Sequence, residues 1–170
     1  MTRAFGRVVR PLSTLLCALF ASAALGAGFD EQTLLLALFD ASLDADYARG
    51  SWQADSTGTL TRLGEGRRGA ALMLRDRARL DFAADGNLNP LEGTIEFWLK
   101  PSWPGNDPET HSLFSFQASA LNFLNINSLP GGRLGVAVSA GKSAEDRVWR
   151  RVDADISGWK PGEWHHVAAV

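Results

Sequence analysis

The stretch that most constrains the fold is 93–101, because apolar and polar positions alternate strictly along it. In an extended chain, successive side chains point to opposite faces of a sheet. Ile95, Phe97 and Leu99 therefore share one face, and the residues between them share the other. This pattern predicts one strand of an antiparallel sheet with a buried face. We expect the segment 163–170, which has a similar aromatic and apolar content, to lie beside it.

The rest of the chain consists of short apolar or alternating segments separated by turns rich in Gly, Pro, Asn and Asp. Its 170 residues correspond to about one domain, and no sustained helical period follows the N-terminal segment. Many short strands at roughly even spacing predict an all-β sandwich or jelly roll. Further strands are predicted over residues 33–39, 58–63, 70–74, 78–82, 111–116, 121–126, 133–138 and 147–152, with a polar turn at 75–77.

The N-terminal segment, residues 1–27, has the pattern of a secretory signal peptide. Arg3, Arg7 and Arg10 precede an apolar run over residues 12–25, and small residues follow. A membrane anchor is the alternative, but about fourteen apolar residues are short for a span of roughly twenty. We therefore predict an exported protein, which is secreted, periplasmic or bound at the cell surface, with no membrane span after the signal is removed.

The cysteine content and the charge exclude several functions. The single cysteine, Cys17, lies inside the apolar run and follows two leucines, whereas a lipid-attachment site would have small residues there. The chain after residue 27 has no cysteine, so disulfides, thiolate chemistry and Cys-ligated zinc are excluded from it. The formal net charge of −2 argues against general nucleic-acid binding, which needs a strong basic excess.

Five segments in order resemble one family: 93–101, Trp103 with Gly105, Asn106 and Asp107, 112–115, 133–136, and 159–168. They are similar to the LamG-like jelly rolls of the concanavalin A-like lectin/glucanase superfamily. The resemblance implies an antiparallel two-sheet jelly-roll sandwich over residues 28–170. The family's last strands would come after the sequence shown, which stops within an apolar segment. We therefore expect the domain to be incomplete at its C-terminus and further domains to follow it.

The resemblance also implies a function, because domains of this family mostly bind glycans or proteins outside the cell, sometimes with calcium. The leading prediction is an exported, non-catalytic recognition module that binds carbohydrate or another extracellular ligand. One alternative is an accessory domain of a secreted glycoside hydrolase or protease whose catalytic part lies beyond residue 170. Another is a structural adhesion or spacer module.

An enzymatic role for this segment is not predicted from its carboxylates and histidines. Glycoside hydrolysis generally uses two carboxylates that flank the scissile bond, and the β-glucanases of the superfamily place acids two residues apart on one strand. Glu96 has Thr94 and Trp98 at those positions. His165 and His166 are adjacent, so on a strand they point to opposite faces and do not share one metal ion.

The predicted ligand-binding residues are Trp98, Trp103, Asn106 and Asp107. Tryptophan offers a flat apolar face on which a sugar ring can stack. Trp98 occupies the polar face of its strand, and Trp103 lies in a proline-rich loop beside the two polar residues. Packing in the core is the alternative for both tryptophans, since large aromatic side chains are usually buried.

A calcium site is the cofactor that the sequence suggests, at Asp40, Asp44 and Asp46. Carboxylates close together in a loop supply the hard oxygen ligands that Ca²⁺ prefers. The spacing is not that of an EF-hand. A solvated acidic turn is therefore the alternative interpretation of these residues.

Overall fold

The computed structural model describes residues 31–170, and the signal peptide predicted over residues 1–27, with Cys17, lies outside the described residues. In this part of the chain all regular secondary structure is β, with no helix. The predicted all-β class is therefore confirmed. The strands are β1 (Leu35–Leu36), β2 (Tyr47–Ala48), β3 (Ala54–Leu63), β4 (Ala71–Phe82), β5 (Ile95–Leu99), β6 (His111–Gln117), β7 (Phe123–Leu129), β8 (Arg133–Ala140), β9 (Val148–Asp155) and β10 (His165–Ala169).

Every strand pair in the described residues is antiparallel. The largest sheet has four strands in the order β6-β7-β8-β9, and the pairs β1-β2, β3-β4 and β10-β5 form two-stranded sheets. The consecutive order of the large sheet follows from short turns, such as Pro130–Gly132 between β7 and β8. Gly131 and Gly132 have φ values of 81° and 74° there, which L side chains rarely adopt.

The alternating stretch 93–101 forms β5 and pairs with β10, as predicted. Phe97 lies opposite Val167, and Trp98 lies opposite His166. Burial alternates along β5, with Ile95, Phe97 and Leu99 less exposed than Glu96 and Trp98. The period-two pattern therefore did determine which face of this strand points inward.

The core lies between the β5-β10 pair and the four-stranded sheet. Its most buried apolar side chains are Ile126 of β7, Leu134 of β8, Ile156 after β9 and Val167 of β10. Phe97, together with other apolar residues of β5, β6 and β7, packs against this cluster. Two sheets that share one apolar layer give the domain its sandwich-like character.

The apolar face of the large sheet becomes more exposed toward β9. Ile126 is 0% exposed, whereas Val152, which lies opposite Val136, is 73% exposed and Val148 is 50% exposed. β9, which corresponds to the strand predicted over residues 147–152, forms one edge of the sheet. The β5-β10 pair therefore covers the β7 side of this face more completely than the β9 side.

The strand predicted over residues 33–39 is wrong in length. Only Leu35–Leu36 is extended and paired, and both residues are half-buried. Leu38 is 46% exposed, and Phe39 adopts a φ of 63°, which breaks an extended backbone. A run of apolar residues favours burial, but it does not determine whether a partner strand is present. Here the partner strand, β2, has only two residues.

The turn predicted at 75–77 is also wrong, because β4 continues through these residues. Thr57 pairs with Arg79 and Thr59 pairs with Arg75, so Gly58 alone faces the residues between the two arginines. Asp76 and Arg77 have φ values of 55° and 60°. The polar residues therefore mark a bulge inside one long strand, not the end of one strand and the start of the next.

Candidate functional site

The proline-rich loop 101–110 is held against the turn that follows β9. The amide of Gly105 donates to the carbonyl oxygen of Trp159 at 2.9 Å, and the amide of Gly162 donates to that of Pro101 at 2.8 Å. A Cβ at position 105 would collide with the carbonyl group of Ile156, so this close approach needs glycine. The loop is thereby fixed in a position that brings Trp103 next to the core.

Four aromatic rings then stack in a row, which we call the ring stack: His111, Trp103, Trp159 and His165. The His111 and Trp103 ring centroids are 4.3 Å apart, and the Trp159 and His165 centroids are 4.1 Å apart. Trp103 and Trp159 connect the two pairs at 6.4 Å and also pack against the core cluster. This arrangement supports packing as the role of Trp103.

The two histidines of the ring stack make few polar contacts. The Nε2 atoms of His111 and His165 are buried and have no hydrogen-bond partner in the described structure. His111 Nε2 lies 3.5 Å from a carboxylate oxygen of Asp107, an electrostatic contact without hydrogen-bond geometry. The same carboxylate accepts a hydrogen bond from the amide of Glu109 at 2.7 Å, whereas Asn106 is exposed. Asp107 thus supports the loop in addition to facing His111.

Trp98 lies on the other face of the β5-β10 pair, where it is 43% exposed. Its ring centroid is 5.1 Å from that of His166, and the Arg67 guanidinium lies over its ring at 4.8 Å from the centroid. His166 Nε2 is 3.4 Å from a carboxylate oxygen of Glu96. We call these four residues, Glu96, Trp98, His166 and Arg67, the Trp98 face.

A groove of about 430 Å³ lies beside this face and is lined by Leu63, Gly64, Glu65 and Lys100. Lys100 follows Trp98 by two positions, so the two side chains leave the chain on the same face. Its ammonium nitrogen lies 5.7 Å from the ring centroid of Trp164. Lys100 is therefore the groove residue that follows the polar side of β5.

The acidic residues predicted to bind calcium hold backbone amides of different segments. Asp40 accepts from the amide of Ala70 at 2.6 Å, Asp44 from that of Ala54 at 2.9 Å, and Asp46 from that of Leu38 at 2.7 Å. Over residues 31–170, no group of three or more His, Cys, Asp or Glu side chains is arranged to hold a metal ion. The structure thus uses these carboxylates as loop caps and does not bring them together.

The carboxylates with clearly displaced pKa values lie away from the Trp98 face, in and around β9. A side-chain hydrogen bond from Arg151 is the main cause that lowers the pKa of Asp153, and the charges of Arg151 and Arg133 lower it further. A backbone hydrogen bond from Ser143 lowers the pKa of Asp146. A general acid at neutral pH needs a raised pKa, so these two groups have the opposite property.

The structure divides the four predicted ligand-binding residues between two places. Trp103 and Asp107 belong to the ring stack or its loop, Asn106 is exposed on that loop, and Trp98 stands on the opposite face. Sequence reasoning missed Arg67 and His166 as neighbours of Trp98. The register of β10 against β5 would have identified His166, but no local signal in the loop 64–70 indicates that Arg67 reaches Trp98.

Comparison with protein-family models, with curated proteins and with solved structures found no match to this chain. Within residues 31–170, no helix is long and apolar enough to cross a membrane.

Proposed function

We propose that this chain is an exported, non-catalytic recognition module that binds carbohydrate on the Trp98 face. The observation that carries the proposal is a half-exposed indole in contact with Arg67 and His166, with Glu96 in contact with His166. The predicted signal peptide supports a setting that is secreted, periplasmic or at the cell surface. The sandwich-like packing of antiparallel sheets is compatible with a concanavalin A-like jelly roll, which we propose as the fold of residues 28–170.

The chemistry of the Trp98 face suits a sugar. A pyranose presents apolar C–H groups on its ring faces and hydroxyl groups around its edge. The part of the Trp98 indole that Arg67 and His166 leave exposed offers an apolar aromatic surface for the C–H groups. Glu96 can accept hydrogen bonds from hydroxyls, Arg67 can donate them, and His166 can do either. A small number of polar groups that converge on an apolar surface is typical of small-molecule binding sites.

The same geometry supports binding without turnover. Among the described residues, Glu96 is the one carboxylate in ion-pair contact with a residue of the Trp98 face. Hydrolysis of a glycosidic bond by the common routes uses two carboxylates placed on either side of the bond.

The test is a glycan array with the full 170-residue chain, followed by calorimetric titration of any glycan that binds. We expect Trp98→Ala to weaken binding at least about tenfold, the scale of 1.4 kcal/mol. Trp149→Ala is the matched control, because Trp149 is 47% exposed but lies on β9, away from β5. Binding that survives Trp98→Ala, or the absence of any bound glycan, would overturn the proposal.

A further inference from the structure

We propose further that the carbohydrate bound on the Trp98 face is anionic and carries carboxylate groups, as uronic acids do. This inference rests on the glycan-binding function proposed above and names the ligand class. It is carried by two cations that have no carboxylate partner in the described structure, Arg67 over the Trp98 indole and Lys100 two positions after Trp98 in the chain. A neutral ligand would leave both of them without a counter-charge.

Arg79 and Arg151 show how a carboxylate neutralises a guanidinium elsewhere in the described structure. Arg79 lies 2.8 Å from Asp81, and Arg151 lies 2.6 Å from Asp153. Over residues 31–170, neither Arg67 nor Lys100 has a carboxylate oxygen within 4.0 Å. Each lies over an aromatic ring instead, Arg67 over Trp98 and Lys100 over Trp164. These contacts orient the two cations at the site and leave their charge available to a ligand.

Stacking suits Arg67 to carboxylate recognition. A guanidinium group that lies over an aromatic ring uses its flat face, while its five N–H donors point outward in its own plane. Two of these donors match the two oxygens of a carboxylate, which gives a bidentate, charge-assisted contact. The stacked position also holds the fork in place before binding, which lowers the entropic cost of forming the contact.

Lys100 places a second charge along the strand. Positions 98 and 100 are separated by about 6.7 Å along an extended chain. Leu63 gives the neighbouring groove an apolar residue, and Lys100 and Glu65 give it charges of opposite sign. The acid already on the Trp98 face, Glu96, faces the imidazole of His166. A sugar in contact with the exposed part of Trp98 would therefore have the Arg67 guanidinium beside it, with Lys100 two positions farther along the chain.

The experiment compares each uronic-acid oligosaccharide with its methyl ester, which keeps the ring and removes the charge. Oligomers of galacturonate, mannuronate and glucuronate, each in both forms, would be titrated against the full chain. We expect at least one acid form to bind about tenfold or more tighter than its ester. We also expect that preference to shrink as the salt concentration rises, because salt screens exposed charges.

Variants separate the two proposals. The double variant Arg67→Ala/Lys100→Ala should lose the preference for the acid and still bind the ester, whereas Trp98→Ala should weaken both forms. Arg79→Ala is the control, because it removes a positive charge that Asp81 already neutralises. Glu65→Gln should strengthen binding of the acid form, since Glu65 lines the same groove.

The outcomes are distinct. Equal or tighter binding of the esters or of neutral glycans, with dependence on Trp98, would overturn the anionic ligand and leave the glycan-binding function standing. Binding of no glycan in either form would overturn both. An acid preference that survives the double variant would overturn the roles of Arg67 and Lys100.

Discussion

The ring stack and the Trp98 face lie on opposite sides of the same pair of strands, and they place similar side chains in different surroundings. In the ring stack, Trp103 lies against the core and its neighbours are other rings. On the Trp98 face, the indole is 43% exposed and its neighbours are a guanidinium and an imidazole. Composition alone would not distinguish the two tryptophans.

The adjacent histidines of β10 show how the difference arises. His165 stacks on Trp159 at 4.1 Å, and His166 lies 5.1 Å from Trp98. Successive side chains on a strand leave opposite faces, so one histidine joins each cluster. This confirms the expectation that the pair does not share a face. The ring stack therefore supports the fold, whereas the Trp98 face presents its side chains to solvent.

The largest effect is expected on the inner face of β5. Phe97 packs against the core cluster, and Phe97→Ala should lower the free energy of unfolding by about 3 kcal/mol, the lower end of the range for a core phenylalanine. Chemical denaturation would measure it. An unchanged midpoint would place Phe97 outside the core and remove the contrast between the two faces of the strand.

Trp103→Ala should lower the free energy of unfolding by about 2–3 kcal/mol, because it opens the middle of the ring stack and the edge of the core. Glycan binding on the Trp98 face should remain in the fraction that stays folded. If the variant kept its stability and lost binding, the ligand site would belong to the loop 101–110 instead.

The histidine pair gives a matched comparison on one strand. His165→Ala should cost about 1 kcal/mol, since it removes a stacked aromatic partner from Trp159. His166→Ala should change stability by less than about 0.5 kcal/mol, as is usual for an exposed side chain. Both variants would be measured by thermal and chemical unfolding. Equal losses would mean that both faces of β10 are covered by protein.

Trp98→Ala should also have only a small effect on stability, at less than about 1 kcal/mol, since the indole is already largely in contact with polar groups and solvent. Unfolding in denaturant would measure this value beside that of Trp149→Ala. A loss near that of Trp103→Ala would show that Trp98 is a packing residue, and the contrast between the clusters would disappear.

Local pattern predicted much of the fold correctly. The strict alternation in 93–101 correctly predicted which face of β5 points inward. Short apolar or alternating segments likewise predicted the strands β6, β7, β8 and β9, although the ends of these strands are shifted. Prediction failed where a backbone irregularity or a missing partner decided the outcome. Asp76 and Arg77 were interpreted as a turn because polar residues favour turns, yet the register against Gly58 makes them a bulge. The segment 33–39 is apolar, but only two of its residues find a partner strand.

The sequence by itself determined that the described chain is built of short antiparallel strands, and which side of β5 is apolar, because side-chain direction on a strand follows from a period of two residues. Only the tertiary structure decided which tryptophan is packed and which is open. That choice depends on contacts between residues far apart in the chain, such as Arg67 with Trp98 and Trp103 with Trp159. No local preference of a residue encodes a neighbour that the fold brings from another strand or loop.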